Sequence, residues 1–184
     1  MFIEIEKKFE LTDSEYEIIK SKLKLKWRKT IIDEYMDTVD FQLTKSWKKF
    51  RIRNGKKELK IQIWQISCEE YEWNEAMQKL RNNWYEYDEL KKIFNVTTHR
   101  ETYTWKHNKI SYIVDIDRHE HGTRYEVEVS AKNEENGIKL INTIIIDLQL
   151  KWNELPMSEW KWMLHAKKQN PQAYKILLAN NIQL

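Results

Sequence analysis

Phe2-Ile3-Glu4-Ile5-Glu6-Lys7-Lys8-Phe9-Glu10 is the stretch whose reading decides the fold. As a β-strand it alternates its side chains between two faces, with Glu4, Glu6, Lys8 and Glu10 on one and Ile3, Ile5 and Phe9 on the other. One strand of this kind is an ordinary half-buried strand with its polar face in water. Here the pattern recurs. Lys49, Arg51 and Arg53 alternate with Phe50 and Ile52, and Glu58, Lys60 and Gln62 alternate with Leu59, Ile61 and Ile63. Glu70 and Glu72 flank Tyr71, Asp115 and Asp117 flank Ile116, and Arg124, Glu126 and Glu128 alternate with Tyr125, Val127 and Val129. A closed barrel with a charged interior gives that pattern, and such an interior needs a charged ligand.

Working outward, Thr12-Asp13-Ser14-Glu15 matches a capping box ahead of helically spaced Tyr16, Ile19 and Leu23. Strands are expected at 31–37, 48–53, 57–64, 67–73, 98–105, 109–117 and 124–130, with Asn54-Gly55 as a hairpin turn and Asn108 and Gly122 in connections. Helices are expected at 75–94, at 134–151, from Ser158, and from Asn170-Pro171, where Asn caps and Pro takes the first turn. With the first stretch this makes eight strands and a few helices in one domain over residues 1–184. Hairpin connections favour an antiparallel sheet, and eight strands suffice to close a barrel with helices covering its apolar exterior. The fold class expected is α+β.

Composition narrows the function. The chain has 41% hydrophobic and 33% charged residues, which describes a globular protein and not a disordered one. Its 32 basic and 29 acidic residues are interspersed, so the net charge of +3 gives no separate argument for nucleic acid. The single cysteine, Cys68, excludes an internal disulfide framework and reads as a small buried residue; the five His lack zinc-ligand spacing. The first residues enter the charged strand with no signal-peptide pattern and no apolar run of membrane-spanning length, so a cytoplasmic location without membrane association is expected.

The charged faces suggest chemistry. Carboxylates two positions apart on a strand have Cα atoms roughly 6.5 Å apart and can converge on one cation, for which oxygen-only ligands favour Mg²⁺ or Mn²⁺. The bases Lys8, Lys49, Arg51, Arg53, Lys60, Arg100 and Arg124 suit phosphate, Arg through its planar fork and Lys as a point charge. Acids alone would suit calcium, and bases alone nucleic acid or inositol phosphates. The mixture suits a polyphosphate held by cationic side chains and by metal. Salt-bridge ladders on exposed strand faces are the other reading of the same residues. Trp47 continues the face of Lys49, Arg51 and Arg53, where an aromatic ring suits a flat or cationic organic group.

Glu4-Ile5-Glu6-Lys7-Lys8-Phe9 resembles the ExExK signature of the CYTH superfamily, the triphosphate tunnel metalloenzymes. The likeness continues through Asp33-Glu34-Tyr35-Met36-Asp37-Thr38, Phe50-Arg51-Ile52-Arg53, the Lys60 strand, Glu70 and Glu72, Arg100, and Asp117 to Glu128, in the family's order. The resemblance implies an eight-stranded antiparallel β tunnel that hydrolyses a triphosphate with release of phosphate. It implies metal ligands among Glu4, Glu6, Glu70, Glu72, Asp117, Glu126 and Glu128, taking Mg²⁺ with Mn²⁺ as the alternative. It implies substrate binding by Lys8, Arg51, Arg53, Lys60 and Arg100, with Glu6, Lys8 and Asp117 as catalytic residues and Trp47 on the organic group. Two features resemble the thiamine triphosphatase branch: Val96 to Arg100 followed by Trp105, and Asn170 to Leu178. Two depart from it, since Thr98 stands where a base is usual, and Lys49 where the branch places an aromatic. The substrate expected is thus thiamine triphosphate or inorganic tripolyphosphate. The rivals are an adenylyl cyclase of class IV releasing pyrophosphate, a nucleoside or RNA triphosphatase meeting nucleic acid only as a 5′-triphosphate RNA end, and a non-catalytic polyphosphate-binding module.

Overall fold

A computed structural model describes residues 3–64, 66–107 and 110–181; Phe2 and the Asn108 connection lie outside them. In chain order the elements are β1 (Ile3–Glu10), α1 (Asp13–Lys22), β2 (Lys24–Asp37), α2 (Gln42–Lys45), β3 (Lys48–Arg53), β4 (Lys56–Trp64), β5 (Ser67–Glu72) and α3 (Trp73–Asn82). There follow β6 (Lys91–His107), β7 (Ile110–His119), β8 (Gly122–Ala131), α4 (Glu134–Leu148), α5 (Lys161–Gln169) and α6 (Pro171–Asn181), with 3₁₀ turns at Tyr87–Glu89 and Met157–Glu159. The class is α+β, and the eight antiparallel strands close in the order β1-β5-β4-β3-β2-β6-β7-β8. Two compact units divide the chain: residues 1–30 with 98–156, and residues 31–97 with 157–184.

In the first unit β1 pairs with β8, β8 with β7, and β7 with β6. The apolar face alternates as the first stretch requires, burying Ile5, Phe9, Ile116, Tyr125 and Val127 completely. Helix α4 covers β8 and β1 with Ile141, Ile144, Ile145 and Leu148. Its approach depends on Gly137, where an added Cβ would collide with the Ile5 side chain. Phe9 stacks on Tyr125 with ring centroids 4.9 Å apart, and Trp152 meets Phe9 edge-on at 5.3 Å. Helix α1 begins with the expected capping box: the Glu15 N–H donates to the Thr12 hydroxyl at 3.3 Å, and the Thr12 N–H to the Glu15 carboxylate at 3.0 Å.

In the second unit the Asp33–Met36 segment of β2 pairs with β3, β3 with β4, and β4 with β5. Asn54 and Gly55, with φ of 48° and 85°, turn the β3–β4 hairpin as the sequence indicates. Leu43, Phe50, Leu59, Tyr71, Ala76, Leu80 and Leu90 form the core beneath α3. Cys68 is buried, as the sequence suggests.

Several boundaries differ from the sequence expectation. The helix expected at 75–94 ends at Asn82, and β6 already begins at Lys91. Asn83 closes α3 by donating its side-chain amide to the Lys79 carbonyl at 2.8 Å, and Trp84 takes a left-handed φ of 67°. Beyond it Phe94 and Val96 are buried two positions apart, a strand period. The strand expected at 31–37 starts earlier, at Lys24, because Leu25 and Trp27 alternate with exposed charges over the added residues. The helix expected at 134–151 stops at Leu148, where Gln149 adopts a left-handed φ of 60°. The helix expected from Ser158 begins at Lys161, and α2 was not anticipated. Asn170 caps α6 as expected, accepting the Ala173 N–H at 3.0 Å.

Candidate active site

The first unit carries a face dominated by carboxylates. Register extends the face of Glu4, Glu6 and Lys8 across the sheet: Glu6 lies opposite Glu128, Lys8 opposite Glu126, and Glu126 opposite Asp115. Asp117 lies opposite both Arg124 and Arg100, and Asp115 opposite Thr102. The six carboxylates are Glu4, Glu6, Asp115, Asp117, Glu126 and Glu128, against the three bases Lys8, Arg100 and Arg124. Arg100 forks onto both oxygens of Asp117, its terminal nitrogen at 2.7 Å, and the same nitrogen donates to Glu126 at 2.9 Å. Its other terminal nitrogen reaches Asp115, which also accepts the Thr102 hydroxyl. The Lys8 ammonium lies 2.8 Å from Glu6 and 3.5 Å from Glu126.

Much of this face is out of water. Asp117 is 1% exposed and Arg100 8%. Burial pulls the Arg100 guanidinium down, but Asp117, Glu126 and Asp115 together hold it well above its ordinary value. Burial pushes Asp115 above the usual carboxylate range, against the pull of Arg100 and the Thr102 bond. A buried ion network is a weak source of stability, since well-packed apolar side chains of the same volume often do as well or better. Charge concentrated in this way points to function. The donor set is all oxygen and carries more negative charge than its bases balance, which fits a hard divalent cation such as Mg²⁺ and fits zinc or copper poorly.

The second unit carries a face dominated by bases. Arg53 forks onto Asp33 at 2.7 and 3.0 Å. Arg51 donates to Glu58 at 2.7 Å and to Glu70 at 3.3 Å, and the Lys60 ammonium lies 3.5 Å from Glu70. Lys56 pairs with Glu72. The five bases Lys49, Arg51, Arg53, Lys56 and Lys60 thus share strand faces with the four acids Asp33, Glu58, Glu70 and Glu72. Asp37 belongs to the same strand, but its carboxylate is spent on the Leu43 and Thr44 N–H groups, both at 2.9 Å, where it anchors α2. Burial raises Asp33, but Arg51 and Arg53 overcome it and hold the carboxyl below its ordinary value, with a contribution from Lys161. Burial likewise opposes the Arg51 charge, which Asp33 and its neighbours restore to well above the ordinary value.

Of the sequence candidates, Glu4, Glu6, Lys8, Arg100, Asp117, Glu126 and Glu128 fall on the face of the first unit. Arg51, Arg53, Lys60, Glu70 and Glu72 fall on that of the second. There Glu70 and Glu72 meet Arg51, Lys60 and Lys56. Trp47 lies outside β3, in the turn before it, with a left-handed φ of 60°. Glu10 is exposed at the end of β1. Asp115 was noted as part of the acidic pattern but not put forward as a site residue. Lys161 was missed altogether: it is buried at the start of α5 and acts on Asp33. A lysine in the first turn of a helix reads as solvated, and only packing reveals otherwise.

The CYTH domain model matches residues 3–151. No curated protein matches the chain closely enough to count as a relative. Among solved structures it resembles a candidate adenylate cyclase from Bacillus halodurans at 19% identity, with 86% of this chain and 95% of that one covered and a TM-score of 0.58. It resembles protein PH1819 from Pyrococcus horikoshii OT3 at 19% identity, covering 88% and 98%, with a TM-score of 0.63. It also resembles HpAC1 from Hippeastrum, a candidate adenylyl cyclase with a dominant triphosphatase activity, at 14% identity, covering 94% and 99%, with a TM-score of 0.62. At these identities the likeness is one of fold.

Proposed function

This chain belongs to the CYTH family, and from that premise we propose that it hydrolyses a triphosphate, thiamine triphosphate or inorganic tripolyphosphate, in a divalent-metal-dependent reaction that releases phosphate. The observation that carries the reading is the pairing, in one chain, of a largely buried carboxylate-rich face with a second face on which Arg51, Arg53 and Lys60 gather around Asp33, Glu58 and Glu70. Arg51 and Arg53 present planar forks that match phosphate oxygens, while Lys60 and Lys161 add point charges and Arg100 and Lys8 complete the set. Glu4, Glu6, Asp117, Glu126 and Glu128, with Glu70 and Glu72, are the proposed ligands of Mg²⁺ or Mn²⁺. When bound, the cation supplies Lewis-acid neutralisation of phosphoryl oxygens.

The side chains perform the remaining work. Glu6 or Asp117 accepts a hydrogen bond from the attacking water and orients it for in-line displacement. Lys8 and the arginines stand ready for the charge that spreads over the transferring phosphoryl oxygens, with their dipoles and charges already fixed by the sheet. The dominant triphosphatase activity of the Hippeastrum protein supports hydrolysis. The candidate cyclase from Bacillus halodurans is what favours the second reading, in which a ribose hydroxyl attacks the α-phosphate and pyrophosphate leaves. Incubation with Mg²⁺ and tripolyphosphate, thiamine triphosphate or ATP tests both. Phosphate from either of the first two supports the proposal. Pyrophosphate with a cyclic nucleotide from ATP moves the chain to cyclase chemistry, and no product with retained binding leaves a polyphosphate-binding module.

A further inference from the structure

The second unit holds a small cleft lined by Thr44, Trp47, Lys48, Lys49, Gln62 and Trp162, among others. Its position is fixed by the chain around it. The Trp47 N–H donates to the Thr44 carbonyl at 3.2 Å, and the Trp47 carbonyl accepts the Gln62 N–H at 2.9 Å, so the turn before β3 is tied to β4. An adjoining hollow shares Thr44, Lys48, Lys49 and Trp162 and extends to Tyr35, which lies opposite Arg51 in the sheet. Lys49 itself lies two positions from Arg51 on the same strand face. The cleft therefore borders the base-rich face, where the non-reacting end of a triphosphate bound to Arg51 and Arg53 would emerge.

Aromatic walls of this kind receive an organic cation only when a ring face is open to it. Here the Lys49 ammonium already lies 4.1 Å from the Trp162 ring centroid and 6.0 Å from that of Trp160, while donating to the Gln62 side-chain oxygen at 3.3 Å. Trp162 is itself buried, so its ring offers little further face to a ligand. Lys48 lines the same cleft, with its ammonium 3.3 Å from the Ser46 carbonyl. A thiazolium entering here would meet two like charges within a few ångströms, whereas the unesterified, more highly charged terminal phosphate of tripolyphosphate would meet two opposite ones.

We infer that Lys49, held on Trp162, is a specificity determinant that turns this cleft into an anion-selecting vestibule, favouring inorganic tripolyphosphate and rejecting the thiazolium of thiamine triphosphate. The inference rests on the triphosphate reading above and narrows it. A full like charge removed from a partly solvated cleft changes discrimination on the order of tenfold.

The test measures equilibrium binding of tripolyphosphate and thiamine triphosphate by calorimetry, and kcat/KM for each with Mg²⁺, in the wild type, Lys49→Gln and Lys49→Arg. The wild type is expected to favour tripolyphosphate by about tenfold or more on both measures. Lys49→Gln is expected to improve thiamine triphosphate in absolute terms, by about tenfold, while Lys49→Arg keeps the wild-type preference because it keeps the charge. Thiamine triphosphate favoured by the wild type, or unimproved by Lys49→Gln, overturns the inference and leaves the triphosphatase reading standing. Binding of both compounds without cleavage of either overturns the triphosphatase reading, and the binding ratio then decides the inference alone. Binding of neither overturns both.

Discussion

The two charged faces are written in the same alternating code and do different things with it. In the first unit six carboxylates surround three bases, and Arg100 is the cation on which Asp115, Asp117 and Glu126 all converge. In the second, five bases face four acids, and several cations share the same acids: Arg51 and Arg53 both reach Asp33 and Glu58, Arg51 also meets Glu70, and Lys56 joins Glu58 to Glu72. A strand face alternating in charge says only that charge is on one side. Which sign prevails follows from which strands become neighbours. The lesson is that an acid-rich face with few cations depends on each of them more than a base-rich face, where several cations share the same acids, depends on any one.

The largest effect that would break this comparison is Arg100→Ala. Removing the hub leaves three buried carboxylates without their shared guanidinium, and breaking a buried ion pair typically costs about 3–5 kcal/mol. Denaturant unfolding should show a loss of that size; a loss under about 1 kcal/mol, the worth of an exposed pair, would mean that the face is solvated.

Next in size, Glu6→Gln should lower turnover at limiting Mg²⁺ by about a hundredfold, the upper end of what disturbing a metal's ligand environment costs, with part of the loss recovered as Mg²⁺ rises. Full activity at limiting Mg²⁺ would remove Glu6 from the metal ligands. On the other face, Arg53→Ala should act on affinity, raising KM for tripolyphosphate by roughly ten- to a hundredfold, as expected for a lost charged hydrogen bond of about 1.5–3 kcal/mol. Unchanged KM with a fallen kcat would exchange the roles of the two faces.

The smallest effect provides a control inside the acid-rich unit. Glu101, next in the chain to Arg100 but on the other side of β6, is bound by Arg28 and Arg118, both at 3.1 Å, and by the Tyr103 hydroxyl at 2.7 Å. Burial raises its carboxyl, but the Tyr103 bond and the charges of Arg118 and Arg28 lower it further, leaving it below its ordinary value. A carboxyl depressed on folding stabilises the protein above its unfolded pKa of about 4.3 and loses that contribution as pH falls through the lower folded value. Thermal unfolding followed from pH 6 to pH 3 should therefore decline less steeply below about pH 4.3 in Glu101→Gln, with turnover at pH 7 little affected. An unchanged acid slope would assign that loss of stability to other carboxylates.

The strands were legible because period-2 alternation of charged and bulky apolar residues is a local property, repeated often enough to exclude accident. Capping of α1 by Thr12, the Asn54-Gly55 turn and capping of α6 by Asn170 were legible for the same reason. Residues 83–94 were misread because Trp84, Tyr85 and Tyr87 satisfy helical and strand periods equally, and only the burial of Phe94 and Val96 discriminates. No helix among the described residues is long and apolar enough to cross a membrane, as the hydropathy suggested.

What the sequence by itself determined was the class of fold and the chemical inventory: eight charged-and-apolar strands, an oxygen-rich set for a hard cation and a guanidinium-rich set for phosphate. Tertiary structure alone decided the partnerships. It gathered Asp115, Asp117 and Glu126 onto Arg100, assigned Asp37 to the backbone of α2, brought Lys161 from α5 within electrostatic reach of Asp33, and laid Lys49 on Trp162. The physical reason is that alternation along a strand sets only which side of the sheet a residue faces. Register between strands and the packing of helices set which charges share a buried, low-dielectric neighbourhood, where their interactions are strong enough to do chemistry.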